Sequence, residues 1–193
     1  MEFVALACCL VASVAHAEST TSIGMQSFVV TDSHCADSVK TALKREWMVD
    51  VYYAARAGTG AAKPYFDDDA LLRKLTDDKY YGQKPDALQH WASRSSDARK
   101  DAAQKDGERD PLLTILPGMG VARANYALTG AFVQHGFVVA VIDLPYLGIQ
   151  RLPDGRILRA DDDPLAQSDN YQDYAPRIRD FVRDVGVSRT IQK

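Results

Sequence analysis

Cysteine is scarce in this chain. There are three in 193 residues, and two of them, Cys8 and Cys9, sit in an apolar N-terminal run. Loss of that run leaves Cys35 alone, and one cysteine cannot close an internal disulfide, so the mature domain depends on its core. No Asn-x-Ser/Thr site occurs, since Asn125 and Asn170 are both followed by Tyr, which suits a bacterial exported protein better than a glycosylated one. An excess of basic charge is also missing. A net charge of −3 gives no positive field for a phosphate backbone and excludes nucleic acid as a partner. No internal repeat is visible. No apolar run reaches the roughly 20 residues that a bilayer-spanning helix needs, so no stable membrane span is expected.

What is present begins with that N-terminal run. Residues 3–14 are apolar but for Ser13, Ala15-His16-Ala17 follows, and Glu18-Ser19-Thr20 is polar. A short hydrophobic stretch closed by a small-x-small site reads as a signal peptide, residues 1–17, cleaved after Ala17 for export to the periplasm or medium. The n-region, Met1-Glu2, carries no Lys or Arg, as a start codon assigned too far downstream would produce. A retained anchor is one alternative. A lipoprotein is another, since Ala5-Leu-Ala-Cys8 resembles a lipobox, although little hydrophobic sequence precedes the cysteine. Residues 18–193 then form one domain, with 46% apolar content in the whole chain sufficient for a core.

Residues 25–31 (Met-Gln-Ser-Phe-Val-Val-Thr) and 48–54 (Met-Val-Asp-Val-Tyr-Tyr-Ala) are β-branched and aromatic, and both predict strands. Residues 33–44 read as a polar linker or short helix, and Gly58-Thr-Gly60 breaks the pattern. From 85 to 110, Leu88, Trp91 and Ala92 have helical spacing before a charged, small-residue stretch. Either a helix and an exposed loop or a surface strand fits; a connection with helical character at its start is expected. Leu112, Leu113, Ile115 and Leu116 form the near-continuous apolar run of a parallel strand covered on both faces. Ala124, Leu128, Ala131 and Phe132 fall on one helical stripe facing the sheet. Gly136 suits the left-handed position that ends that helix, and 137–142 is a second buried strand closed by Asp143-Leu-Pro145. After a long polar excursion, Tyr174, Ile178, Phe181, Val182 and Val185 repeat the stripe. Asp173 is the expected cap, Pro176 lies in the first turn, and Gly186 ends the helix.

Two triple aspartates, 67–69 and 161–163, invite a metal reading because hard cations take carboxylate oxygens. Neither has the alternating spacing and glycine of a calcium loop. Helix starts explain them better, with Asp as N-cap and Pro164 at the first helical position. No metal and no cofactor is expected. Cys35 beside His34 is a weak nucleophile candidate, because sequence neighbours rarely face each other. His135 falls in the last turn of a helix, where a cation suits the dipole.

The chemistry lies in 110–120, Asp-Pro-Leu-Leu-Thr-Ile-Leu-Pro-Gly-Met-Gly, a strand running into a glycine turn. Acyl transfer requires N–H donors aimed at the carbonyl oxygen that becomes negative, and loss of one donor raises the barrier by roughly 3–4 kcal/mol. Leu116-Pro-Gly-Met-Gly120 can turn N–H groups toward a crevice at the C-terminal ends of strands, where open α/β sheets hold ligands. No Gly-Lys-Ser/Thr follows Gly120, which excludes a P-loop, and Arg123 stands where a dinucleotide fingerprint needs its third glycine. A turn that merely joins strand to helix is the plain alternative.

With 49–54, 134–140 (Gln-His-Gly-Phe-Val-Val-Ala) and Ile142-Asp-Leu-Pro145, this turn resembles the N-terminal half of α/β-hydrolases. The similarity runs over 25–186 and is nearest to platelet-activating-factor acetylhydrolase and dienelactone-hydrolase-like esterases. It implies an α/β-hydrolase fold, the N-terminal half of a mostly parallel central sheet with flanking helices. It also implies that the backbone N–H of Met119, between Gly118 and Gly120, is an oxyanion-hole donor. Pro117 replaces the histidine common in the family. In that fold the nucleophile, acid and histidine come later in the chain. Gly-x-Ser-x-Gly does not occur in the 193 residues; the nearest string, Gly186-Val-Ser188-Arg-Thr190, lacks the second glycine and a strand before it. The expectation is an incomplete exported serine hydrolase for small carboxylic esters, inactive as it stands, with no reading of its oligomeric state. The rival is a secreted non-enzymatic binding module built on half of the fold, which would need cover over the sheet edge.

Overall fold

The computed structural model describes residues 21–66, 68–77, 85–106, 110–116, 126–168 and 171–188. The expected signal peptide, 1–17, and the turn 117–120 lie outside these residues. The strands are β1 (Ser22–Ala36), β2 (Lys44–Ala55), β3 (Ala61–Pro64), β4 (Ser95–Lys100), β5 (Leu112–Ile115), β6 (Val138–Asp143), β7 (Ile149–Arg151) and β8 (Ile157–Arg159). The helices are α1 (Asp69–Asp77), α2 (Pro85–Ala92), α3 (Tyr126–Gln134) and α4 (Tyr171–Ser188). Six strands form one mixed sheet in the order β3-β4-β1-β2-β6-β5, and β7 and β8 form a separate hairpin. β1 is antiparallel to β2 and β2 to β6, while β4 is parallel to β1 and β5 to β6. β4, β1, β6 and β5 therefore share one direction.

From Trp47 on, β2 is apolar on both faces except at Asp50, as β6 is up to Asp143, because both faces are covered. Ile23, Met25, Tyr52, Val139 and Val141 pack with Val133 of α3. On the opposite face Val30, Trp47, Val49, Ala140 and Ile142 pack with Phe181 of α4. Alternate residues of each strand supply the two layers, as the twofold period of a strand requires. Gly136, with φ +81, ends α3 in the left-handed region and turns the chain into β6, as expected.

Several expectations change. Residues 33–36 are strand, since β1 runs on to Ala36, and the chain then turns through 37–43. Residues 95–100 are also strand: β4 pairs with β1 and β3 through its backbone, although only Ala98 is buried. β5 is an edge strand, and Leu112 and Leu116 are 41% and 47% exposed, so it is not covered on both faces. In α3, Leu128 is 54% exposed while Thr129 and Val133 are buried, which turns the helix away from the expected stripe. In α4, Val182 is 69% exposed and Arg177, Phe181 and Asp184 are buried. That helix starts at Tyr171 rather than after Asp173, contains Pro176 inside, and passes through Gly186 to Ser188. The excursion before α4 holds β7, β8 and two 3-10 turns, Ala160–Asp162 and Pro164–Gln167.

Candidate active site

β5 and β6 run in parallel, with Leu112 to Ile115 facing Val138 to Val141, so both deliver their C-terminal ends to one side of the sheet. Ile115, Val141, Asp50 and Ser27 form one row across four strands. The expected oxyanion turn, Gly118-Met119-Gly120, follows one residue after Leu116 and lies outside the described residues. The ground from which it springs is described. Asp50 is buried in that row and accepts a hydrogen bond from Ser27 Oγ at 2.6 Å. Two pairs further along, Met48 faces Asp143, which is also buried. Gln150 spans this end: its Nε2 donates to the Asp143 carbonyl at 3.0 Å and its Oε1 accepts the Met48 N–H at 3.0 Å. A side-chain amide thus completes the backbone pairing where the two strands part.

The loop 37–43 closes the same end, because the β1–β2 connection lies beside the C-terminal end of β6. Asp37 accepts the N–H groups of Val39 and Lys40 at 2.9 and 2.7 Å and the Tyr146 hydroxyl at 2.7 Å. Tyr146 is buried, and its phenol is pushed up from the ordinary tyrosine range, first by burial and then by the hydrogen bond to the Asp37 carboxylate. Its backbone sits at φ +62, a conformation that costs a bulky residue of order 1–3 kcal/mol and is retained only where the surroundings enforce it. Arg45 donates from Nε and Nη2 to the Asp184 carboxylate at 3.0 and 2.7 Å, and from Nη1 to Ser38 Oγ at 2.6 Å. Arg177 pairs with Asp163 and donates to the Ser38 carbonyl at 3.3 Å. The loop is thereby tied to α4, to the 3-10 segment and to the chain leaving β6. None of these ties has a periodic signal in sequence; only the presence of Arg45 among strand residues hints at a buried partner.

The other candidates have plain structural roles. Asp68 caps α1 through the Leu71 N–H at 2.9 Å, and Asp163 caps its 3-10 turn through the Leu165 N–H at 3.0 Å. Asp161 pairs with Arg159, and Asp162 accepts the Arg159 N–H. These contacts match the helix-start reading of both aspartate runs. Among the described residues no group of three or more His, Cys, Asp or Glu side chains could hold a metal ion, and no helix is long and apolar enough to cross a membrane. The Cys35 thiol is pushed up by its hydrogen bond to Asp32 and by burial, which keeps it protonated and poorly nucleophilic. Burial opposes ionisation of Asp32 itself. The His34 N–H, the Cys35 thiol and the Arg183 charge outweigh that and hold its carboxyl below the usual range. His34 lies on β1, His90 in the last turn of α2, and His135 just beyond α3. His135 thus leads into the N-terminal end of β6, at the opposite end of the sheet from Leu116. Ser188 is the last residue of α4, so it lacks the strand-to-turn setting of a nucleophile elbow.

No family model matches the chain, and no curated protein matches it. Among solved structures it is similar to a ferulic acid esterase from Streptomyces cinnamoneus, with a TM-score of 0.65 and 24% identity over 89% of this chain. The matched region is 47% of that esterase, so the chain spans about half its length. The fold is therefore α/β, a mixed sheet with flanking helices, like that of this esterase over the matched region.

Proposed function

We propose that this chain carries the oxyanion-hole part of an exported serine hydrolase acting on carboxylic esters. One observation carries the reading. The parallel β5–β6 pair joined through α3, set beside the antiparallel β1–β2 pair, belongs to a fold shared with an esterase over 89% of the chain. In this arrangement β5 delivers the chain into 117–120 at the ligand-binding end of the sheet. The backbone N–H of Met119 donates to the carbonyl oxygen as a serine oxygen adds to the ester carbon, and Gly118 and Gly120 leave room for the substrate's approach. The serine, the acid and the histidine come from sequence outside these 193 residues. The chain by itself polarises a carbonyl without turning it over. Within ester hydrolases, the reading extends to the platelet-activating-factor acetylhydrolase and dienelactone-hydrolase-like group, a refinement that rests on the sequence resemblance alone. Residues 1–17 direct export and are removed after Ala17.

Translation of the adjoining DNA in all frames tests the reading. A strand followed by Gly-x-Ser-x-Gly, then an Asp or Glu, then a His, is expected. The completed protein should hydrolyse 4-nitrophenyl acetate and be labelled on that serine by an active-site phosphonate. Serine-dependent turnover by the 193-residue chain itself would overturn the assignment. Mass spectrometry of the exported product should find Glu18 as its first residue; an intact Met1 or a lipid on Cys8 would refute the export route.

A further inference from the structure

A cleft of about 640 Å³ opens between the start of β4 and the C-terminal half of α3, lined in part by Tyr65, Arg94, Ser95, Asp97, Gly130 and Gln134. It lies at the N-terminal ends of the parallel strands, the opposite end of the sheet from Leu116. Its size is that of a small-molecule site, and its lining mixes apolar surface with charged and polar side chains. The Arg94 carbonyl holds the Tyr65 N–H at 2.7 Å, which fixes one wall of the cleft to the other side of the β3–β4 pair. The Arg94 guanidinium and the Asp97 carboxylate make no hydrogen bond or ion pair among the described residues, although both border the same cleft.

We propose that this cleft binds a neutral saccharide. An anion would meet Arg94 favourably and Asp97 unfavourably, and a cation the reverse, so the lining selects against net charge. A polyhydroxylated ligand uses both groups. Arg94 donates to its oxygens, Asp97 accepts its hydroxyl protons, and the Gln134 amide and Ser95 hydroxyl do both. Tyr65 supplies aromatic surface for the C–H face of a sugar ring. Gly130, a buried lining residue of α3, has no side chain to keep the ring from the helix backbone. The cleft is open and polar groups must give up water on binding, so affinity in the millimolar range is expected. The proposal does not depend on the ester-hydrolase reading.

Calorimetric titration of the full chain with xylohexaose and with cellohexaose tests it. Binding of at least one glycan is expected, weakened by about tenfold or more in Arg94→Ala and in Asp97→Ala. Both side chains are exposed, so thermal unfolding of these variants should match the parent. Gln134→Ala, on the other wall, should weaken binding with the same unaltered melting. Absence of binding by both glycans at tens of millimolar, or undiminished binding in the Arg94→Ala/Asp97→Ala double variant, overturns the proposal. So does binding of inorganic phosphate in their place, lost in Arg94→Ala and strengthened in Asp97→Ala.

Discussion

Arg45 and Asp184 are fully buried, 139 positions apart in sequence, and joined by hydrogen bonds from two guanidinium nitrogens. Burial pushes the Asp184 carboxyl up, against the pull of Arg45. A buried pair of this kind contributes little over an apolar pair, but removing one partner leaves an uncompensated charge. Arg45→Met should therefore destabilise the domain by about 3–5 kcal/mol in urea unfolding, and adding Asp184→Leu should recover most of the loss. Equal stability of the single and double variants would show that the pair is not coupled as described. Tyr146 offers a test by pH. Its folded value is raised, so the folded state keeps a proton that the unfolded chain loses. Its contribution is complete below about pH 10 and falls as pH rises above it. The slope for one such group is about 1.4 kcal/mol per pH unit. Tyr53 is raised too, by burial and by Asp101, and adds to the same limb. Tyr146→Phe should be less stable at neutral pH, through loss of the bond to Asp37, and should show a shallower alkaline decline. An unchanged alkaline slope would contradict the buried phenol.

Elements differ in how much of them hydropathy could carry. β6 was legible because burial on both faces demands an apolar run such as Val139, Ala140 and Val141, and the 48–54 part of β2 through its β-branched and aromatic residues. β4, Ser-Ser-Asp-Ala-Arg-Lys, was not, since its strand character comes from the edge that β1 offers and only Ala98 meets the core. α3 is apolar on nearly every side, so no stripe distinguishes the face it buries. The sheet takes Thr129 and Val133 and leaves Leu128 outside. In α4 the Arg45–Asp184 and Arg177–Asp163 pairs bring charge inside, which defeats any rule that seats Val182 in the core. β7 and β8, three residues each, are too short for periodicity to register. Around the candidate site, the strand β5 and the helix α3 after it were legible; Gln150, Tyr146 and Asp37 were not, because their partners are set by tertiary contact. Gly60 tests the element scale. At φ +73, a Cβ there would lie 2.7 Å from the Lys100 carbonyl oxygen and 2.8 Å from the Ala102 Cα, backbone atoms at the end of β4 and just beyond it. At Gly136, φ +81, nothing lies within 4 Å. Gly136→Ala should cost about 1–2 kcal/mol of backbone strain alone, and Gly60→Ala distinctly more. Similar melting temperatures for the two variants would mean that the 58–60 turn yields without resistance.

At the scale of the whole molecule the sheet is unequal at its two sides. On one side β3 and β4 are short and polar. On the other, β5 pairs only with β6 among the described residues and carries Leu112 and Leu116 in solvent. An uncovered apolar edge is a template for further pairing, so the 193-residue chain should self-associate with rising concentration in sedimentation velocity, and Leu112→Lys should reduce it. Pairing along β5 would continue the sheet beside the strand that leads into 117–120, the side from which the nucleophile of the proposed reaction would approach. The proposed roles then separate cleanly by experiment. In a completed enzyme, Met119→Pro deletes one N–H donor without touching any side chain of the triad. Its kcat should fall by about a hundredfold or more, since one oxyanion donor is worth roughly 3–4 kcal/mol of transition-state stabilisation. KM should change far less, because the donor matters most when the oxygen carries full charge. Met119→Ala keeps the N–H and should retain most activity, which distinguishes loss of the donor from loss of the side chain. A folded Met119→Pro enzyme with undiminished kcat, or a Met119→Ala enzyme equally impaired, would remove the oxyanion role from this turn.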